Sequence, residues 1–248
     1  MNPALKRLLD QILRIFAPVL LIRAKLTSET MPRPTGAPEA HAPGEDPDHL
    51  LLLGGGIAVG FGVLSHDLSL AGHIARQISA ETGRGVTLDI IADPILVLHS
   101  VPATLAQTTL ERYDAVILTF GVTDALRRTP GRQWREQLLA LIDTIRDRTA
   151  AHVHIFVVGV QPVRNVATLH NLAGRLAELH GRALDRESMR VCATRDCATF
   201  VPFDPVDFLS DEGTLYRSSR VYKRWAAQIS PAVSAVLQEN HPLGDWTI

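Results

Sequence analysis

An α/β fold, a three-layer sandwich with helices on both faces of a parallel sheet, is predicted by three observations. From residue 50 onward, short apolar runs alternate with amphipathic segments. The runs are apolar at consecutive positions, as strands buried on both faces must be. Each is bounded by Gly, Pro or Asp and followed by a stretch long enough for a crossover helix.

The strands are expected at Leu50–Leu53, Val86–Ile91, Ala115–Phe120, Val153–Gly159 and Ala198–Phe203. Helices are expected between and after them, at Ser69–Thr82, Pro102–Arg112, Gln133–Arg148, Val166–Glu187 and Ser218–Leu237. In such sheets ligands sit outside the carboxyl ends of the strands, so the residues just after each strand carry the functional information.

Ahead of this region lie two segments of different character. In "MNPALKRLLDQILRIFAPVLLIRAKL" the apolar residues Leu5, Leu8, Leu9, Ile12, Ile15, Phe16, Val19 and Leu20 recur at helical spacing, with Lys6, Arg7 and Arg14 between them. Residues 1–29 therefore read as an amphipathic helix, kinked at Pro18. Its longest apolar run, Ile15 to Ile22, falls far short of the roughly 20 residues that span a bilayer. Asp10 and the basic "IRAKL" make a poor secretory leader. Two readings stay open, packing on protein or lying on a membrane surface. Residues 30–49, rich in Pro, Ala, Gly and acidic side chains without an apolar period, read as a flexible linker. The folded domain is then 50–238, followed by a tail at 239–248.

The chain of 248 residues is 46% hydrophobic and 21% charged, with a formal net charge of −1, so no basic excess points to nucleic acid. Cys192 and Cys197 lack a CxxC spacing and a histidine cluster, which removes a zinc site and a disulfide framework. His152 and His154 share a strand face but have no evident third ligand. Neither a metal nor a cofactor is expected, and the expected location is the cytoplasm, with residues 1–26 as a surface for peripheral membrane contact.

The segment "HLLLLGGGIAVGFGVLSHD" runs an apolar strand into Gly54, Gly55, Gly56, Gly60 and Gly62. A dinucleotide loop would begin the same way, with Asp89 or Asp93 toward a ribose, but its helix must start at the glycines. Here helical pattern resumes only near Ser69, and no G-K-[ST] follows.

The same segment resembles the first block of the SGNH/GDSL hydrolase superfamily, roughly G-D-S-I-x-x-G-x-G; Gly54, Ile57, Gly60 and Gly62 match. "VILTFGVTD" is similar to the third block, G-x-N-D, through Gly121 and Asp124. "VYKRWA" resembles the family's last helix through Tyr222, Trp225 and Ala226. The resemblance implies a parallel, flavodoxin-like five-stranded sheet and an ancestry in acyl-ester hydrolysis. There a serine attacks the ester, a histidine takes its proton, an aspartate orients the histidine, and preplaced donors hold the oxyanion.

Carried over position by position, that machinery is missing. The nucleophile position is Gly56, the histidine position Tyr216 and the aspartate position Gly213, with Asp211 two residues away. Of the oxyanion-hole positions, Gly56 offers only its amide, Pro94 has no N–H, and Thr123 stands in place of asparagine. The expectation is a pseudoenzyme that binds a small ester, lipid or glycan, or a protein partner, with Asp124, Tyr216 and Arg127 as candidate cleft residues. Arg127, Arg128 and Arg132 form a basic cluster suited to a solvated rim or an anionic ligand. The alternative is an active esterase or acyltransferase with relocated residues, such as Ser100 with His99, or Thr123. Ser65, His66 and Asp67 are adjacent in sequence, which triad geometry does not favour; Asp67 or Ser69 is expected to cap the next helix instead.

Overall fold

The computed structural model describes residues 30–161, 172–204 and 218–240. Among these, six strands build one sheet: β1 (Glu39–Ala42), β2 (Asp48–Gly54), β3 (Val86–Ala92), β4 (Ala115–Thr119), β5 (His154–Val158) and β6 (Ala198–Val201). Their order is β1-β3-β2-β4-β5-β6. Strands β2 to β6 are parallel, with Leu50 opposite both Leu88 and Ala115, Ala115 opposite His154, and Ile155 opposite Ala198. Without β1 this is the flavodoxin-like order, whose direction of progression reverses between β2 and β4.

Among the described residues six α-helices accompany the sheet: α1 (Leu70–Thr82), α2 (Val101–Leu105), α3 (Val122–Arg127), α4 (Gly131–Asp147), α5 (Leu172–Cys192) and α6 (Ser219–Asn240). Successive strand side chains point to opposite faces, and that period of two sorts the apolar runs into two cores. Leu51, Leu53, Val116, Leu118, Ile155 and Val157 pack under α2, α4 and α5, where Trp134, Leu138, Ile142 and Leu184 close the layer. Leu50, Leu52, Ile117, Phe156 and Val158 face the other way, against Ile74 and Ile78 of α1 and Tyr222, Trp225 and Ile229 of α6. No helix of the described residues is long and apolar enough to cross a membrane.

The structure departs from the sequence reading at several elements. The stretch read as linker contributes β1, which pairs antiparallel with β3 through Glu39 opposite Asp89 and Ala42 opposite Val86. The sheet thus has a sixth, antiparallel edge strand. The helix expected over Pro102–Arg112 ends at Leu105, because Arg148 donates to the carbonyls of Leu105 at 2.8 Å and Thr108 at 2.6 Å and so satisfies them outside a helix. Ser69 sits at the N-cap of α1, yet its hydroxyl donates backward to the His66 carbonyl at 2.6 Å and makes no cap bond. The expected amphipathic helix at 1–29, the start of the helix at 166–171 and the tail from 241 lie outside the described residues.

One buried ion pair ties three elements together. Arg84, after α1, donates to both carboxylate oxygens of Asp48 at 2.9–3.1 Å, at the start of β2, and to the Leu237 carbonyl of α6 at 3.2 Å. The Asp48 side chain is 1% exposed, so its charge has little water to fall back on. Arg84→Ala is expected to lower the unfolding free energy by about 3–5 kcal/mol, read as a shift of the urea midpoint. A loss under about 1 kcal/mol would show that the pair is dispensable.

Candidate functional site

The reversal of strand order between β2 and β4 leaves a crevice at their carboxyl ends, because the crossover connections depart to opposite faces. A shallow cleft lies there, with about 310 Å³ of empty space, open mouth included. Its floor comes from the turns after β2 (Gly55, Gly56, Ile57), β4 (Phe120, Gly121, Thr123) and β5 (Gly159, Gln161), with Thr119 and Leu96 beside them. Among the described residues, none of the lining side chains is charged.

Gly56 opens a short 3-10 turn with φ of +50°, a left-handed conformation that L side chains rarely adopt. A Cβ on it would stand 2.8 Å from Gln161 Nε2. The amide of Gln161 therefore lies over the place where a side chain at residue 56 would begin. Gln161 is 5% exposed and its Oε1 has no hydrogen-bond partner. Thr119, on the cleft wall, is also buried, and its Oγ1 has no partner either.

The loop carrying Gln161 is pinned from α5. The Val160 amide donates to Asp185 Oδ1 at 2.8 Å. Val160 also packs against Gly121, where a Cβ would come within 2.3 Å of its Cγ2 and where φ is +112°. Burial pushes the Asp185 carboxyl up to about 6, against the opposing pull of the Val160 amide and of the Arg186 and Arg182 charges.

The sequence-derived candidates are dispersed by the structure. Gly56 and Thr123 line the cleft. Pro94 sits in the turn after β3, where Asp93 Oδ1 accepts the Ile95 amide at 2.9 Å, and it presents no N–H. Asp124 is 1% exposed and does not line the cleft. Its Oδ1 accepts the Thr129 hydroxyl at 2.9 Å, its Oδ2 faces the Leu98 amide at 3.5 Å, and burial raises its pKa. Arg127 is exposed; of its neighbours, Arg128 donates to the Leu176 carbonyl at 3.1 Å and Arg132 pairs with Glu136 at 2.8 Å. Gly213, Tyr216 and Asp211 lie outside the described residues. Asp89, considered for a ribose, accepts the Tyr113 hydroxyl at 2.7 Å and pairs with Arg112.

Relocated hydroxyl–imidazole pairs fare as follows. The Ser100 hydroxyl donates to the Val97 carbonyl at 2.8 Å, and His99 beside it is exposed. His66 Nδ1 is buried without a partner. His154 lies 2.8 Å from Thr199, but at the amino ends of β5 and β6, on the far edge of the sheet. His152 precedes β5 and faces Asp114 at 3.6 Å. The described residues hold no cluster of metal-ligating side chains.

His73 meets Ser219 at 2.8 Å between the first turns of α1 and α6. Arg76 reaches its other nitrogen, Nδ1, at 3.0 Å. A guanidinium only donates, so Nδ1 accepts and the proton sits on Nε2, which then donates to the serine oxygen. A triad needs the reverse, with a carboxylate at Nδ1 and a free Nε2. Burial first, then the charges of Arg76 and Lys223, lower the His73 pKa and keep the ring neutral.

Solved structures of like fold bear on this arrangement. A lipase/acylhydrolase from Enterococcus faecalis superposes with a TM-score of 0.58 at 16% identity, over 76% of this chain and 96% of its own. A protein from Desulfitobacterium hafniense DCB-2, described as a lipolytic protein of the G-D-S-L family, gives 0.53 at 13% identity, over 74% and 98%. The chain has the SGNH-hydrolase fold. An acetyl xylan esterase variant from Geobacillus stearothermophilus shares the SGNH fold with a TM-score of 0.52 at 12% identity, over 78% and 95%. By sequence, no family model and no curated protein matches.

Gln161 and Asp185 are the site residues that sequence reasoning missed. Gln161 was within reach, since it is the polar residue just after β5 and a ligand is expected at such a place. Asp185 gave no signal, being one charged residue among many on an amphipathic helix. Its raised pKa means the folded state holds that proton more tightly than the unfolded chain does. The resulting stabilisation is present below about pH 4 and is lost as pH rises through about 6. Asp185→Asn keeps an acceptor for Val160 and removes the titration. It should gain about 3 kcal/mol over the native chain at pH 7.5, and the gain should vanish near pH 4, read from urea midpoints at both pH values. A pH-independent difference would assign the shift elsewhere.

Proposed function

We propose that this chain is a catalytically silent SGNH-fold protein that binds an acyl compound in the cleft instead of hydrolysing it. The observation that carries the reading is Gly56 at the nucleophile position with the Gln161 amide lying over it. Three further facts support it. No histidine occurs between His180 and His241, so the histidine position of the family's last block has no imidazole within reach in sequence. Pro94 withdraws one oxyanion donor. The tautomer that Arg76 imposes on His73 prevents that ring from accepting the Ser219 proton. The like-folded lipase/acylhydrolase and acetyl xylan esterase act on acyl compounds by their names, which supports the same ligand class here. Without nucleophile and base, only weak residual acceleration from binding is expected.

The test is fluorophosphonate treatment of the full chain, read by intact mass, beside hydrolysis of p-nitrophenyl acetate and butyrate. The expected outcome is an unmodified mass and turnover equal to buffer. Gly56→Ser should not restore activity, because the new hydroxyl has no base and the +50° φ strains any side chain by about 1 kcal/mol. An adduct on a serine or threonine, with turnover lost on its replacement by alanine, would overturn the reading.

A further inference from the structure

We propose that the carboxyl edge of the sheet is a membrane-docking face, on which residues 1–26 bind an anionic bilayer and Leu64 and Leu68 seat the domain against it. The chain enters the domain at this edge. The Gly62 amide donates to the Pro32 carbonyl at 2.7 Å, and the Ile90 amide donates to the Pro38 carbonyl at 2.7 Å, so residues 30–38 run beside the loop that follows β2 and the end of β3. Residues 1–29 are thereby tethered next to the β2–α1 loop, at the end of the sheet where the cleft opens.

That edge holds large apolar side chains in water. Leu64 is 74% exposed and Leu68 46%, both on the β2–α1 loop, and Ile95 in the turn after β3 is 42% exposed. A lone exposed leucine is ordinary, whereas three such side chains at one edge, beside the entry of an amphipathic sequence, mark an interaction surface. The loop is also braced. Tyr222 donates its hydroxyl to the Phe61 carbonyl at 2.8 Å, Arg76 donates to the Asp67 carbonyl at 2.7 Å, and the Leu68 amide donates to the Ser65 carbonyl at 3.2 Å. The two leucines are therefore kept exposed on a fixed backbone.

Charge and area select the occupant. In residues 1–26, Lys6, Arg7, Arg14, Arg23 and Lys25 stand against Asp10 alone, in a chain whose formal net charge is −1. Attraction to anionic headgroups thus belongs to this segment, and the exposed Arg33 extends it. Asp67 and Asp93, exposed on the same edge, leave the domain's own contact to its apolar side chains. The apolar stripe from Leu5 to Leu20 is larger than Leu64, Leu68 and Ile95 can cover among the described residues, whereas a bilayer takes up the stripe and the leucines together. Docked in this way, the cleft opens toward lipid.

The experiment floats the full-length chain with phosphatidylcholine vesicles, with or without phosphatidylglycerol at about a third of the lipid. The chain should bind the anionic vesicles at least about tenfold more tightly than the neutral ones, and release from them as NaCl rises from about 0.1 M to about 0.5 M. Leu64→Glu combined with Leu68→Glu, both at exposed positions, should weaken binding to anionic vesicles at least about tenfold. Orientation is read separately from tryptophan quenching by brominated lipid. Leu64→Trp should be quenched beyond the level of the native chain, and Met189→Trp, 52% exposed near the far end of α5, should not. Equal binding to neutral vesicles, native affinity in the double variant, or equal quenching at the two positions would each overturn the inference. Absence of flotation with anionic vesicles would overturn it as well and leave residues 1–26 to pack on protein. Native-chain flotation and the quenching pair stand whether or not the double variant folds, and none of these readouts depends on whether the cleft is catalytic.

Discussion

Burial of a parallel sheet on both faces is the constraint from which the rest of this molecule follows. Strands Leu50–Leu53 and Ala115–Leu118 expose nothing to water, so their side chains must be apolar at every position and helices must cover both sides. Backbone polar groups are satisfied inside the ladder, and variation is left to the turns at the carboxyl edge. The cleft is therefore placed by topology before any particular side chain is chosen. Residues that fill it can change without disturbing the cores, so a fold shared with lipases and esterases can carry Gly56 in the turn after β2.

The parallel strands and the long helices were legible because their patterns are extended and consistent. Unbroken apolar runs in β2 and β4 and helical spacing in α1, α4 and α6 leave little choice of element. The strand β1 was not legible. "EAHA" has weak strand propensity and sits among prolines, and it becomes a strand only because the β3 edge offers unpaired groups and Ala40 and Ala42 are small enough to lie close to α1. The shortening of α2 was hidden for a related reason: the groups that end it belong to Arg148, on a segment far along the chain.

The candidate site divides in the same manner. What one position carries by itself was readable: Gly56 has no side chain and Pro94 no N–H. Replacements were not, because a new role depends on what surrounds the residue in space. Nothing about Gln161 in sequence says that its oxygen is buried without a partner, and Asp124, plausible as a cleft residue, proves to be a buried brace between Thr129 and the Leu98 turn. The His73–Ser219 pair shows the opposite hazard. Its distance alone resembles a catalytic contact, and only the identity of the group on the second nitrogen decides the direction of the proton.

The antiparallel strand β1 also bears on how the molecule behaves among its own copies. A parallel sheet ends in a row of unpaired amides and carbonyls, which invites another chain to add a strand. Here β1 covers that row on β3, and the edge it presents in turn is only four residues long, with Glu39 and His41 exposed on it. A short, charged edge is a poor template for further pairing. The segment that looked like spare length thus guards the sheet against aggregation, and a chain trimmed to the start of β2 would lose that protection and, from its cores, only the two small side chains of Ala40 and Ala42 among the β1 residues.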